Sequence, residues 1–560
     1  MSGPEQPGIL SEEQRRQASA DDADLRRLGY RQQLFREMGG FSNFAISFSI
    51  ISVLTGAVLL YGYGLKFAGP IINTVGWPVA SLFTLCVAAS MAELASAYPT
   101  AGGLYFWAFR LGGRTWAWVT AWLNMIGQVA ATAGINSAAA IYLIGAVTRI
   151  AGLPSDAEIS LMGATFPLTN WYFQVAVMTL LMAPQVWINC RGIRLTARLN
   201  DFSVYWHIAG GAIIVGLLCF LGKHHNSLAF LFSSEGSVNP LDASSAEISG
   251  QTVPALTVGE YRVPSPLFAM VPGLTGLYQA APFALVGVLA LLQAQWTYTG
   301  YDASAHVAEE TLMARKNSAW GIVLSVAVSG VVGYLLLLAL TWCIPNADAA
   351  ATASDAYPVL QIAYGNLAGP LAHVVALIIG VAMWLCGCSS ISSMGRMWYA
   401  FARDEGLPGS ALWKQVDPAS HTPRAAILLT SVLAVVLCLY AAAFTVVSSI
   451  STIALYLAYG IPVYLNRRNR RRGDGEWVTP ALAPWNLGRW SPLIGGVAIG
   501  YTLFICVVFL LPPNELVLWT SLAMGLLLTA YWKLHASRRF SGPTPADEVE
   551  LRTLEQEADA

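Results

Sequence analysis

Residues 291–310 read LLQAQWTYTGYDASAHVAEE, a stretch of membrane-spanning character that nevertheless carries Gln293, Gln295, Thr297, Thr299, Gly300 and Asp302. An aspartate at the centre of a bilayer costs at least ~2.5 kcal/mol, so Asp302 should face a cavity or a partner. Gly300, set among hydroxyl residues, marks where the helix can unwind. A second stretch shares this character. Residues 41–64, FSNFAISFSIISVLTGAVLLYGYG, hold five Ser or Thr, with a break expected near Thr55-Gly56. The plain interpretation, that Gly and Ser only let helices pack closely, accounts for the first stretch less well than for most spans. It does not account for Asp302.

The surroundings of these two stretches are apolar. A hydrocarbon core of about 30 Å needs about 20 apolar residues per helix. The chain offers about twelve such spans, near 41–63, 71–96, 116–147, 170–189, 202–222, 282–304, 320–343, 367–395, 425–445, 447–465, 492–511 and 515–533. Hydrophobic residues make up 55% and charged residues 11%, against about 25% charged in soluble domains. Of the 31 Lys and Arg, four (Lys66, Arg149, Lys223, Arg262) sit in alternate connections, and the other 27 lie in the remaining connections or the tails. Lys and Arg resist crossing the bilayer, so this bias predicts an even number of spans and cytoplasmic termini. The N-terminus is polar and basic, unlike a cleavable signal peptide.

The same composition excludes several functions. There is no basic stripe interleaved with aromatics, so nucleic acid is not an expected partner. The eight Cys lie mostly in apolar stretches without disulfide or metal-ligand spacing. No Walker sequence, selectivity-filter motif or catalytic constellation appears, so neither ATP drive, a channel nor an enzyme is expected, and no cofactor or metal is called for. Transport would then draw on an ion gradient, exchange, or the substrate's own gradient.

The two polar, Gly-interrupted spans are the first and the sixth. Each opens a block of five. Paired interruptions at corresponding positions of two halves point to a secondary transporter, and an odd number of spans per block forces the blocks into opposite orientations. The expected organisation is a disordered cytoplasmic tail (1–36), a first five-helix repeat (37–222) and an extracytoplasmic loop (223–281). A second repeat (282–466), helices 11 and 12 (467–535) and a disordered cytoplasmic tail (536–560) follow. The cluster Arg467–Arg472 reads most simply as a cytoplasmic stop signal, with lipid headgroup contact as the lesser alternative.

Several residues are candidates for function. Asp302 either contacts cargo or ties the unwound segment to a neighbouring helix. Trp296, just before the break, either closes over a substrate or faces lipid. His207 in span 5 is placed for a proton relay or for a neutral hydrogen bond to a helix backbone. Ser389 and Ser390 in span 8 are the alternative ion-coupling site. Glu93, Glu309 and Glu310 read as ion-pair partners for Arg110, Arg114 or Arg403, and His306 lies one turn from Asp302.

Four stretches carry a resemblance to a known family. They are LGYRQQLFREMGGFSNFAISFSIISVLTG leading into span 1, MAELASAYPTAGGLYFWAFRLGG between spans 2 and 3, TYTGYDASAHVAEET closing span 6, and MGRMWYAFARDEGLP after span 8. With these the chain resembles the amino acid–polyamine–organocation superfamily, and most closely its amino-acid/choline and GABA permeases. The resemblance implies an all-α membrane protein with the LeuT-type fold, five plus five inverted spans and two added helices. It implies secondary active transport of amino acids or related amines, for example GABA, across the plasma membrane, driven by protons or by exchange. Choline or polyamine transport, or a non-transporting sensor, are the alternatives. By the resemblance, Thr55 and Gly56 receive the cargo's carboxylate, Trp296 and Thr297 match the gating aromatic and its neighbour, and Gly300 and Asp302 lie in unwound helix 6. His207 is similar in register to a lysine of proton-coupled relatives. Leu54 stands where the family turn usually has its first glycine.

Overall fold

The computed structural model describes residues 11–543, except 155–156, 162–163, 238–243, 249–250, 259–260, 265–266, 268–269, 272, 274–286, 346–348, 350–351, 353–356, 441–443 and 513. Ten described helices are long and apolar enough to cross a membrane, from Gly40–Leu59 to Glu515–Arg539. Two expected spans are not among them. Span 6 is a chain of short pieces, Gly287–Leu291, Leu292–Thr297 and Ala303–His306. Span 9 is the helix Arg424–Tyr440, only 17 residues long.

The helices sort into an inner and an outer set. Among membrane-length windows, 89% of helix Arg114–Ile150 is buried in protein, against 22% of Trp171–Asn189 and 11% of Glu515–Arg539. The inner spans carry the polar residues, as they must when the outer ones face hydrocarbon. Packing partners come in reciprocal sets. Span 7 (Ala314–Trp342) lies along span 2 (Trp77–Ala97), and span 8 (Gly369–Arg403) along span 3 (Arg114–Ile150). Span 3 also packs on span 10 (Phe444–Arg472), and span 8 correspondingly on span 5 (Ile193–Leu221). A two-fold relation between the five-span blocks produces this pattern. The protein is an all-α membrane protein.

Both polar spans are broken. Helix Gly40–Ile51 stops at Ser52, whose backbone is left-handed at φ 30°, and helix resumes at Gly56. The break begins one turn before the expected Thr55-Gly56. In span 6 the helix stops after Thr297, passes Gly300 at φ 95°, and resumes at Ala303.

The N-terminal tail departs from expectation. Glu12–Arg27, expected to be disordered, is a helix. Ser11 and Gln14 form a reciprocal capping box, with Glu12 and Glu13 in the first turn and Arg26 and Arg27 in the last, a distribution that complements the helix dipole. Leu25 is buried, and both Asp21 carboxylate oxygens accept backbone N–H groups of Met313 and Ala314 at the start of span 7 (2.7 and 3.1 Å). Burial raises the Asp21 carboxyl above its usual range, against the opposing pull of Arg36. At the other end, residues 544–560 of the expected disordered tail lie outside the described residues, whereas Ser537–Arg539 are helical and Phe540 is buried. In the long loop, strands Ser244–Ile248, Gln251–Val258 and Tyr261–Pro264 pair antiparallel.

Candidate substrate and coupling site

The break in span 6 is held from all sides. A Cβ on Gly300 would stand 2.2 Å from Ile50 Cγ2, so both its φ and its neighbour demand glycine. Its N–H donates to Tyr459 Oη (3.1 Å), and that hydroxyl donates to Asp302 Oδ1 (2.8 Å). Asp302 Oδ2 accepts from Asn124 Nδ2 (2.8 Å) and Gln128 Nε2 (3.2 Å) and lies 3.1 Å from His306 Nε2. The other ring nitrogen of His306 donates to Ala101 O (3.0 Å). Span 1 supplies further donors: Ser47 Oγ to Tyr301 O and Asn43 Nδ2 to Ser304 O, both 2.9 Å. The carboxylate is fully buried and both its oxygens are engaged. In this arrangement Asp302 ties span 6 to spans 3 and 10.

The break in span 1 is built differently. The N–H groups of Thr55 and Gly56 both return to Ser52 O (2.8 and 3.1 Å). Among the described residues, no acceptor takes the N–H of Val53 or Leu54. Ser52 Oγ bonds both Thr55 Oγ1 and His207 Nε2, each at 2.7 Å. His207 Nδ1 lies 2.7 Å from Ser203 O. A carbonyl only accepts, so Nδ1 carries a proton; in the neutral ring Nε2 then accepts from Ser52. An imidazole and a strained helix break are thus joined through one hydroxyl.

The two breaks touch. A Cβ on Gly56 would meet Thr297 Oγ1 at 2.4 Å, so Gly56 permits the crossing of the broken helices. Thr297 Oγ1 is itself donated to Gln293 O (2.5 Å). Trp296 is buried edge-on against Phe444 (ring centroids 5.1 Å, 89°) and rests over Gly134. It does not face lipid. Its indole N–H has no partner among the described residues. Ser389 and Ser390 are placed elsewhere: Ser389 Oγ donates to Asn200 Oδ1 (2.7 Å), and Ser390 Oγ bonds Thr132 Oγ1 (2.6 Å).

Below the breaks, on the face carrying the N-terminal helix, two ion pairs close the bundle. Arg403 grips Glu309 with two bonds (2.9 and 3.0 Å), and Arg396 grips Glu310 (2.5 and 3.1 Å). Glu93 instead accepts from Leu487 N and Ser491 Oγ, and Arg110 pairs with Glu476. Of the expected partners only Arg403 is used as read. Among the described residues, no group of three or more His, Cys, Asp or Glu could hold a metal ion.

The sequence reading missed Asn124, Gln128 and Tyr459. A signal for the first two was present. Asn124, Gln128, Thr132 and Asn136 recur every fourth residue, which lines them along one face of span 3. Tyr459 in span 10 had none.

Comparison with known proteins adds an independent line. The family model described as amino acid permease matches residues 38–532. The amino-acid permease BAT1 of Arabidopsis thaliana is 31% identical over 543 residues, covering 93% of this chain and 95% of that one. Its homolog in Oryza sativa subsp. japonica is 33% identical over 547 residues, with the same coverage of both chains. A GABA-specific permease of Saccharomyces cerevisiae is 26% identical over 554 residues, covering 93% of this chain and 86% of that protein.

Proposed function

The chain belongs to the amino acid permease family, and from that premise we propose that it carries amino acids with a free carboxylate across the plasma membrane by proton-coupled alternating access. The observation that carries this reading is the break in span 1. The unclaimed N–H groups of Val53 and Leu54 stand where a carboxylate can accept both, beside the positive end of the helix that restarts at Gly56. These donors lie one to two residues ahead of Thr55, whereas the family resemblance places the carboxylate turn at Thr55 and Gly56. Trp296 and Thr297 cover the same crossing, and Gly300 and Asp302 keep span 6 open around it. The termini lie on the cytoplasmic side, in keeping with the charge bias. The ion pairs of Glu309 and Glu310 then form the closed inner gate.

His207 links the proton to this break. When it gains a proton, Nε2 becomes a donor and Ser52 Oγ must turn from donor to acceptor there. Its contact with Thr55 Oγ1 then changes too, so protonation alters the geometry of the turn whose N–H groups would receive the carboxylate. Gamma-aminobutyrate and neutral amino acids fit a site that supplies donors to a carboxylate. The alternative cargo, choline or a polyamine, would need an unengaged anion, and the Asp302 carboxylate is already occupied.

The test is competition in proteoliposomes against labelled GABA, using neutral and basic amino acids, choline, putrescine and methyl esters. Free amino acids should compete and their methyl esters should not. Esters, choline or putrescine competing as well as the acids would reject a carboxylate site.

A further inference from the structure

On the arginine-rich face, away from the site above, the end of span 10 borders two cavities. One, of about 260 Å³, is lined by Arg467, Arg470 and Arg471 with Glu93, Ser491 and Gly495. The other, of about 390 Å³, shares Arg467 and Arg471 and adds Arg468, Arg472, Tyr464 and Gly496. Five arginines therefore converge within the segment 467–472, and none has a carboxylate partner among the described residues. Glu93, the one acid at the first cavity, is spent on Leu487 N and Ser491 Oγ. Arg467 Nη1 is buried without a hydrogen-bond partner among the described residues. A buried guanidinium N–H without an acceptor forfeits its hydrogen bond to water, and a ligand oxygen would restore it.

The backbone of span 11 makes room for that guanidinium. A Cβ on Gly496 would stand 3.1 Å from Arg467 Nη2 and 3.2 Å from its Cζ. The neighbouring walls are apolar and exposed: Tyr464 is 44% and Leu493 59% accessible. The combination is a planar, unpaired donor set at the rim of an apolar, outward-facing helix pair. It suits a phosphate that is attached to hydrocarbon.

We propose that the groove between spans 10 and 11 binds the headgroup phosphate of an anionic phospholipid, gripped by Arg467 and Arg471. A soluble phosphate presents the same oxygens but leaves Tyr464 and Leu493 uncovered. The lipid's acyl chains lie along those two side chains, in the leaflet that this face meets.

The test uses the full-length protein in a neutral detergent. Its melting temperature and lipid adducts by native mass spectrometry are followed while phosphatidylglycerol, phosphatidylcholine, glycerol phosphate or inorganic phosphate is added. Phosphatidylglycerol should bind and raise the melting temperature, and the other three should not. Arg467→Gln and Arg471→Gln should each weaken phosphatidylglycerol binding about five-fold, while Arg198→Gln, an exposed arginine on another span, should not. Gly496→Val keeps every charge but fills the guanidinium notch, so it should weaken binding too and guards against misfolding of the arginine variants. Equal stabilisation by inorganic phosphate would overturn the lipid assignment. Wild-type affinity in Gly496→Val together with either arginine variant would overturn the site.

Discussion

The two helix breaks are alike in sequence and differ in what their side chains engage. Span 6 has the louder signal, an aspartate in an apolar run, and that carboxylate is fully engaged, although the N–H groups of Tyr301 and Asp302 and the Tyr301 hydroxyl meet no partner among the described residues. Tyr459, Asn124, Gln128 and His306 engage Asp302, and Ser47 and Asn43 take the released carbonyls. Span 1 has no charged residue in its break; two N–H groups there meet no acceptor among the described residues, and one serine bridges to His207. A buried charge is expensive, so neighbours gather to satisfy it, and a satisfied group has little left for a ligand. The span 1 break has no such charge to satisfy, and its serine is joined to a histidine instead. On the function proposed above, Asp302 and its partners are the frame and the span 1 break is the contact for cargo.

The strongest test of that division is Gly300→Ala. A side chain at this positive φ costs about 1–2 kcal/mol, and its Cβ would overlap Ile50 at 2.2 Å. The expected outcome is loss of most folded protein, read by size-exclusion profile and melting temperature. Wild-type melting with altered uptake would show that the span 6 break is adaptable and end its description as a frame.

Asp302→Asn should come next in size. It keeps the shape but turns one accepting oxygen into a donor facing donors, at a cost of about 3 kcal/mol. The melting temperature should drop clearly, while the affinity of the surviving folded protein for amino acids changes less than about two-fold. If instead affinity falls about tenfold or more at unchanged melting, Asp302 contacts cargo and the comparison inverts.

Much of this was legible in the chain. Spans, the paired interruptions at the first and sixth, and the family were readable because hydropathy and charge bias act locally and over long stretches. The site was legible only in part. Asp302 was visible, but its role depends on Asn124, Gln128 and Tyr459, which lie more than 150 positions away in sequence. His207 stood out by type, yet its partner Ser52 became apparent only once spans 1 and 5 were packed. The capping box at Ser11 was equally hard to weigh, since a polar segment gains a fixed position only through Asp21 meeting the N–H groups of span 7. Ser389 and Ser390 were chosen for their hydroxyls, and their bonds run to Asn200 and Thr132 rather than to the span 1 break.

His207→Gln sharpens the comparison on the span 1 side. Uptake by the wild type should rise as external pH falls from about 8 to 6, because the proton enters with cargo. Glutamine can still bond Ser52 but does not titrate in this range. The variant should lose the pH dependence, keep exchange of internal for external substrate, and melt close to wild type. Lithium or N-methylglucamine should replace sodium in the controls, since choline is itself a tested cargo. Strict sodium dependence with an unchanged pH profile would remove His207 from coupling.

The smallest expected effect belongs to Trp296→Phe. Trp296 lies on the span 6 side of the crossing, packed against Phe444 and over Gly134. Phenylalanine retains an aromatic face there and deletes the indole N–H, which has no partner among the described residues. Losing an unpaired buried donor relieves about as much as the smaller ring gives up in packing, so stability should move by less than about 1 kcal/mol. If span 6 acts only as frame and cover, the apparent KM for amino acids should also stay within about two-fold. A KM that rises about tenfold, with kcat and melting unchanged, would mean that the indole N–H donates to bound cargo. Span 6 would then share the binding role, and the division between the two breaks would hold for Asp302 but not for the turn that precedes it.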